Sequence, residues 1–479
     1  MKRIAILLGL ALGSLTAFGQ GQTSPLPNRP DTTVFTADDF FTLVEQFHPL
    51  VKQAALFGDE ARQVVAQARG AFDPKLVSSY ERKEFGQSLY YNYWQNKLVV
   101  PLWAAGMDLN ISYDQTRGQY INPAERTPSS GLTGVGISLP IGQGMFIDAR
   151  RTAVRQARLA VRLADADRIK LINKTLFDAA KTYWEWGLTY QKRLFLTEGY
   201  ELAERRFQAL RERALLGDVA TIDTTEALIT VQDRLLQRNQ AEVDEQNARL
   251  QVSTFLWNAQ GQPVELQPMV VPQRAPMTLY GKAMLDTLLN RAAESHPDLQ
   301  KLDVKAQQLT LEEQFRRAMV QPQVALKASL LSQTPTVDVP YDWTDYYSFR
   351  PQNHKIGLDV VFPLFLRKER GKLREVQVKN RQVNLERQQT SRDIVNTVRV
   401  VHNQLQVLSG QVTIQQQIIQ NQQLLVKAEQ QKFDMGESSL FLINSRETKL
   451  IDLQIKAEEL LAKYQKAVAE LYYVAGVRR

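Results

Sequence analysis

Residues 213–227 read Arg213-Ala214-Leu215-Leu216-Gly217-Asp218-Val219-Ala220-Thr221-Ile222-Asp223-Thr224-Thr225-Glu226-Ala227, with one glycine between two helical patterns. Upstream, residues 148–216 contain no proline. Ala153, Ala157, Ala160 and Ala164 recur there at helical spacing, beside a stripe of Leu159, Leu163, Ile169, Ile172 and Leu176. At about 1.5 Å per residue this stretch predicts a rod of roughly 100 Å. Such a rod outruns any globular core and needs partners along its whole length, as coiled-coil helices do. Gly217 suits the end of that helix, and the threonines after it suit the capped start of another. The chain is therefore expected to reverse at Gly217 and return.

The same event recurs at Gly436, in Phe433-Asp434-Met435-Gly436-Glu437-Ser438-Ser439-Leu440-Phe441-Leu442-Ile443-Asn444, after a second proline-free rod at 367–433. Matched punctuation extends to the front of each half. His48-Pro49 precedes Asp73-Pro74, and His296-Pro297 precedes Gln321-Pro322, with an offset of 248 residues between the copies. The chain thus reads as two repeats, 37–260 and 278–475, joined by a proline-rich connector at 261–277 and followed by a short tail at 476–479. Each repeat is expected to hold a helix of about thirty residues, a strand region (about 75–141 and 323–363), a very long helix, a glycine turn and a returning helix. His48 and His296 read as punctuation at helix starts rather than as ligands. Tyr183, Trp184, Trp186 and Tyr190 read as helix-packing residues, and the Gln-rich stretch 411–423 as an exposed or water-lined face.

In the strand regions the period changes to two. Met107, Leu109, Ile111 and Tyr113 alternate with Asp108, Asn110, Ser112 and Asp114. Val324, Leu326, Ala328 and Leu330 share one face of one segment, and Ile356, Leu358, Val360 and Phe362 one face of another. Strands are expected at 75–85, 132–141, 323–333 and 353–363, with 94–102 and 106–116 as a further hairpin, so either four or six per chain. Segments of this length suit tilted bilayer-spanning strands. Tyr90, Tyr91, Tyr93 and Trp94, and Tyr341, Trp343, Tyr346 and Tyr347 in the loop 334–352, resemble the aromatic girdles of membrane interfaces. Alternation alone fits a half-buried soluble sheet equally well, but the flanking rods are too long and polar to cover one. Four to six strands cannot close a barrel, and an open edge in lipid leaves backbone groups unpaired at several kcal/mol each. Several copies must therefore pool their strands.

The composition narrows the function. The 479 residues include no Cys and four His, which excludes disulfides, thiolate metal sites and cysteine nucleophiles and leaves little for a histidine centre. The net charge of +8 is spread among interleaved acids and bases, which argues against a nucleic-acid partner. Residues 1–19 carry Lys2 and Arg3, an apolar run and Ala17-Phe18-Gly19, the pattern of an export signal, with 20–36 an extended lead-in. No later window reads as a transmembrane helix. No phosphate loop, nucleophile elbow or zinc-spaced histidines occur, so neither catalysis nor a cofactor or metal is expected.

Two repeats of this order behind an export signal resemble the TolC family of outer-membrane efflux and secretion channels over nearly the whole mature chain, and residues 213–227 are similar to that family's first periplasmic-tip turn. The resemblance implies an α+β membrane protein: a homotrimer in which long coiled-coil helices form a periplasmic tunnel joined to an outer-membrane β-barrel. It implies a passive channel in the outer membrane and its lipid. The implied partners are a periplasmic adaptor and an inner-membrane RND or ABC transporter. It also marks Gly217, Asp223, Glu226, Gly436 and Asn444 as tip-turn and gate candidates, although Asp223 and Glu226 equally favour a helix N-terminus electrostatically. Leu442 and Ser445 stand where some members place aperture carboxylates, and Ser438 where a tip arginine would be. The alternative reading is a structural or adhesive surface protein whose rods are spacers without a lumen.

Overall fold

A computed structural model describes residues 33–277, 281–334 and 347–478. The first half runs β1 (Thr33–Phe35), α1 (Ala37–Phe47), α2 (Pro49–Arg69), β2 (Lys75–Phe85), β3 (Ser88–Pro101), β4 (Asp108–Arg117), β5 (Leu132–Gly142), α3 (Ala149–Leu215) and α4 (Thr221–Ser253). The second runs β6 (Val270–Pro272), α5 (Lys282–Ser295), α6 (Pro297–Ala318), β7 (Gln323–Gln333), β8 (His354–Val361), α7 (Arg367–Asp434) and α8 (Leu440–Val474). The residues assigned to an export signal lie outside the described residues.

Each half opens on two helices, where the sequence predicts one of about thirty residues. The residue before a proline is pushed out of the α region, and His48 and His296 accordingly sit at ψ 132° and 128°. Each ring then caps the next helix. His48 Nδ1 accepts from the Leu50 amide at 3.2 Å, and His296 Nδ1 from the Asp298 amide at 3.1 Å. Burial lowers both imidazole pKa values and so favours the neutral ring that can accept.

The two rods form as the periodicity predicts. Asp148 caps α3 by accepting from the Arg151 amide at 2.7 Å, and α3 continues for 67 residues. Near the sheet the helices stand side by side in the order α2–α3–α6–α7, and at the far end in the order α4–α3–α8–α7. This is a single layer of helices rather than a bundle around a centre. At the waist α1, α3, α4 and the connector enclose Phe40, Tyr183, Trp184, Trp186 and Val252. Tyr183 donates to the Phe35 carbonyl at 2.6 Å and accepts from the Gln273 amide at 3.1 Å, which ties the parallel pair β1–β6 to α3. Burial pushes its phenol pKa up to about 12. A second cluster joins α5, α7 and α8 through Leu288, Val398, Tyr464 and Leu471.

The Gln-rich part of α7 is not uniformly exposed. Gln415 is buried and donates to the Leu453 carbonyl of α8 at 2.8 Å, and Gln422 donates to the Arg446 carbonyl at 2.9 Å. The stretch therefore stitches α7 to α8 on one face.

All six candidate strands join one antiparallel sheet, ordered β2-β3-β4-β5-β7-β8. Register aligns apolar residues across it. Leu98, Ile111, Val135 and Leu330 form one row, and Leu326 faces Leu358. The other face carries Ser79, Gln95 and Asp114 in a row, together with the Lys327–Asp359 ion pair. The helix-side turn between β3 and β4 is fixed by Arg150, which reaches Asp108 at 2.6 Å and the Gly106 carbonyl at 3.1 Å. No described helix is long and apolar enough to cross a membrane.

Candidate functional site

The glycine turns lie together at the end of the wall farthest from the sheet. At Gly217 (φ +84°) the Asp218 amide donates to the Arg213 carbonyl at 3.0 Å and the Gly217 amide to the Ala214 carbonyl at 3.1 Å. At Gly436 (φ +79°) the Glu437 and Gly436 amides make the same pair of bonds to Lys432 and Phe433. Both are Schellman closures, whose left-handed residue is nearly free of cost only for glycine. The returning helices start differently. Ser439 caps α8 by accepting from the Leu442 amide, whereas α4 starts at Ala220 without a side-chain cap, contrary to the capping expected from its threonines. Thr224 instead donates to the Thr221 carbonyl at 2.6 Å, and Asp223 occupies the first turn, where its charge suits the helix N-terminus.

About three turns above the tip, a charged cluster joins four helices. Arg206 of α3 grips Glu447 of α8 in a fork, at 2.5 Å and 2.8 Å, and also donates to Asn444 at 3.0 Å and Gln430 of α7 at 3.3 Å. Arg234 of α4 approaches the same carboxylate at 3.7 Å while donating to the Gly199 carbonyl at 3.2 Å and Thr448 at 3.4 Å. Asn444 completes the link by donating to Thr230 at 3.3 Å. Two guanidinium groups thus share one carboxylate, and all three side chains are at most 10% exposed. Burial lowers the Arg234 pKa, and the Glu447 charge opposes that shift. A groove of about 330 Å³ opens beside the cluster, lined by Glu226, Asp233, Asn444, Ser445 and Asp452 among others.

Of the sequence candidates, Asn444 is inside the cluster and Glu226 on the groove. Gly217 and Gly436 make the turns, and Asp223 stays at its helix start. Ser438 donates to Glu429 at 2.6 Å, and Arg446 reaches the same carboxylate at 2.8 Å. Those bonds hold the Glu429 pKa below the usual carboxylate range and pin the second turn to α7 and α8.

Sequence reasoning missed Arg206, Arg234 and Glu447. A signal existed for two of them. Arg234 shares a heptad position with Ala227, Ala241 and Ala248, and Glu447 follows Leu440 and Ile443 on the inward stripe of α8. A charge at an apolar heptad position implies a buried partner. Nothing in the sequence names that partner.

At the opposite end, Trp94 faces Tyr80 across β2–β3 on the apolar face, and Tyr90 packs on Phe85 and Tyr120. Tyr91 and Tyr93 stack on the polar face at 4.7 Å. Tyr347 is exposed, while Tyr341, Trp343 and Tyr346 lie outside the described residues.

Residues 288–477 match the family model described as outer membrane efflux protein. That match covers 190 residues (477 − 288 + 1) of the 479, in the second half of the chain. Solved outer membrane channels share its fold. The Campylobacter jejuni CmeC outer membrane channel superposes with a TM-score of 0.63 at 14% identity, over 92% of this chain and 85% of that one. The outer membrane protein VceC of Vibrio cholerae gives 0.64 at 15% identity, over 92% and 96%. The open state of the Neisseria gonorrhoeae MtrE outer membrane channel gives 0.65 at 12% identity, over 91% and 88%. A search of curated proteins finds no match in sequence.

Proposed function

We propose that the protein is a passive outer-membrane channel of a tripartite efflux or type I secretion system. In this reading three copies pool their strands into one barrel and their helices into one periplasmic tunnel. An inner-membrane RND or ABC transporter supplies the energy, and a periplasmic adaptor joins it to the tip. The observation that carries the reading is the six-stranded sheet. It is apolar on one face and polar on the other, both its edges are open, and it continues into a helical wall roughly 100 Å long. A sheet of that kind is stable with its apolar face in lipid and its edges paired by further copies. The two repeats, 37–260 and 278–475, then each supply one hairpin-bearing half of the wall, behind an export signal at 1–19.

The tip supplies the gate. Gly217 and Gly436 set where the helices reverse, Asp223, Glu226 and Asn444 border the opening, and the Arg206–Glu447–Arg234 cluster ties its four helices together. Solute selectivity falls to the pump, since a wide tunnel needs no specific pocket. Detergent-purified protein in a planar bilayer should give discrete ion conductance. A surface spacer passes no ions, so a silent bilayer with correctly inserted protein would overturn the proposal.

A further inference from the structure

We infer that the waist of the protomer carries a binding site for a small aromatic amine bearing a carboxamide, in the cavity between α1, α3 and the end of α8. The inference goes beyond the channel reading and does not depend on it.

The cavity holds about 270 Å³. Its walls are apolar and aromatic, from Phe41 of α1, Leu176 and Phe177 of α3, and Tyr472 and Tyr473 of α8. The Phe177 and Tyr473 rings stack at 4.9 Å with 4° between their planes, which fixes α3 against α8 beside the space. Drug-sized pockets run from about 300 to 1,000 Å³, so this volume suits one ring with a short substituent. Aromatic walls favour an aromatic ring, in stacked or edge-on contact.

The mouth selects charge. Asp38 and Glu45 line it from α1, where a spacing of seven residues puts them on one face of the helix, and both are exposed. Neither forms an ion pair among the described residues. Against these two carboxylates the lining holds one cation, Arg478. An ammonium group entering here meets an acidic excess beside aromatic faces, and both attract it.

The inner wall selects an amide. Asn173 of α3 is 5% exposed, and neither its Nδ2 nor its Oδ1 has a hydrogen-bond partner among the described residues. Along α3 it shares a seven-residue stripe with Ala166, Ala180 and Gly187, all buried and small. A polar group at such a position is costly unless it is paired. Asn173 also lines a second cavity of about 300 Å³, in which Lys170 pairs with Asp298 at 2.7 Å. That cavity is the more polar of the two, so the ring belongs in the first one. The amide of Asn173 needs a donor and an acceptor together. An ammonium only donates and a carboxylate only accepts, whereas a primary carboxamide does both along one edge. Ring, cation and carboxamide are thus each called for by a different part of the lining.

Three probes separate these parts. Phenylalaninamide carries all of them, phenethylamine lacks the carboxamide, and N-acetylphenylalaninamide lacks the charge. Isothermal titration of full-length protein in detergent, at about pH 6.5 so that the α-amino group is protonated, should rank phenylalaninamide tightest and each other probe about tenfold weaker. Asn173→Leu should weaken phenylalaninamide by about tenfold and leave phenethylamine unchanged. The unliganded variant should melt no lower than the parent, because it loses a buried amide that has no partner. Asp38→Asn with Glu45→Gln should bring phenylalaninamide down to the level of the acetylated probe and leave that probe unchanged. No heat of binding from phenylalaninamide in protein that melts cooperatively would overturn the site. Equal loss of phenylalaninamide and phenethylamine in Asn173→Leu would overturn it as well, and so would a clear drop in the melting temperature of that variant, which would mark Asn173 as a structural residue. Conductance enters none of these readouts, so failure here leaves the channel reading standing.

Discussion

Replacing Glu447 by alanine should loosen the tip without unfolding the waist. The side chain is 5% exposed and is the shared counter-charge of Arg206 and Arg234, themselves 10% and 6% exposed. Removing one member of a buried ion pair costs about 3–5 kcal/mol, mostly because the remaining charge stays buried and unpaired. Arg206 keeps Asn444 and Gln430, and Arg234 keeps the Gly199 carbonyl and Thr448, so the lower end of that range applies. At about 1.36 kcal/mol per factor of ten, 3 kcal/mol is a roughly hundredfold rise in local opening. Hydrogen exchange of detergent-purified protein measures it directly. Amides in 230–234 and 443–448 should lose about two decades of protection, while those around Tyr183 serve as the unchanged reference. Glu447→Gln keeps an acceptor and should fall between. The triple variant Arg206→Met, Arg234→Met, Glu447→Leu removes all three charges and should restore much of the protection, because a well-packed apolar replacement of a buried ion cluster is close to neutral. If the alanine variant exchanges like the parent, or the triple variant is looser than the single one, the cluster does not hold the tip.

Two further expectations concern the turns and the waist. Gly217→Ala and Gly436→Ala should each destabilise the tip by about 1 kcal/mol, through the left-handed backbone alone, since an added Cβ meets nothing within 4 Å at either site; thermal melts of the single variants check this. His48 and His296 have pKa values lowered by burial from 6.5, so their contribution is fully present above that pH and is lost as pH falls through the lowered folded values. Melting temperature should therefore drop more steeply on acidification in the parent than in the double variant His48→Asn, His296→Asn, which keeps the caps but cannot titrate there.

Much of the architecture is legible in the chain because its cues are local. A proline-free stretch with helical spacing gives a rod, Gly217 and Gly436 each give a left-handed helix end, and strict alternation gives a strand. Element order differs from the local reading at His48-Pro49 and His296-Pro297, where one helix of about thirty residues is expected and two are found, because the residue before each proline leaves the α region. The candidate site was legible only in part. Asn444 and Glu226 lie close enough to the glycine turns to be marked by position, whereas Arg206 sits amid many surface arginines and nothing in its neighbours distinguishes it.

By itself, then, the sequence determined the parts: two rods, their reversals and the two-faced strands, all set by backbone preference and side-chain period over a few residues. Tertiary structure alone decided which parts meet. Pairing β5 with β7, which makes the sheet six-stranded, joins Thr133 to Thr334 across 201 residues, and the Arg206–Glu447 fork spans 241. Contacts at such separations depend on where whole helices and strands are carried by their neighbours. No local pattern encodes that placement, so the buried charges and the open edges become visible only in the folded chain.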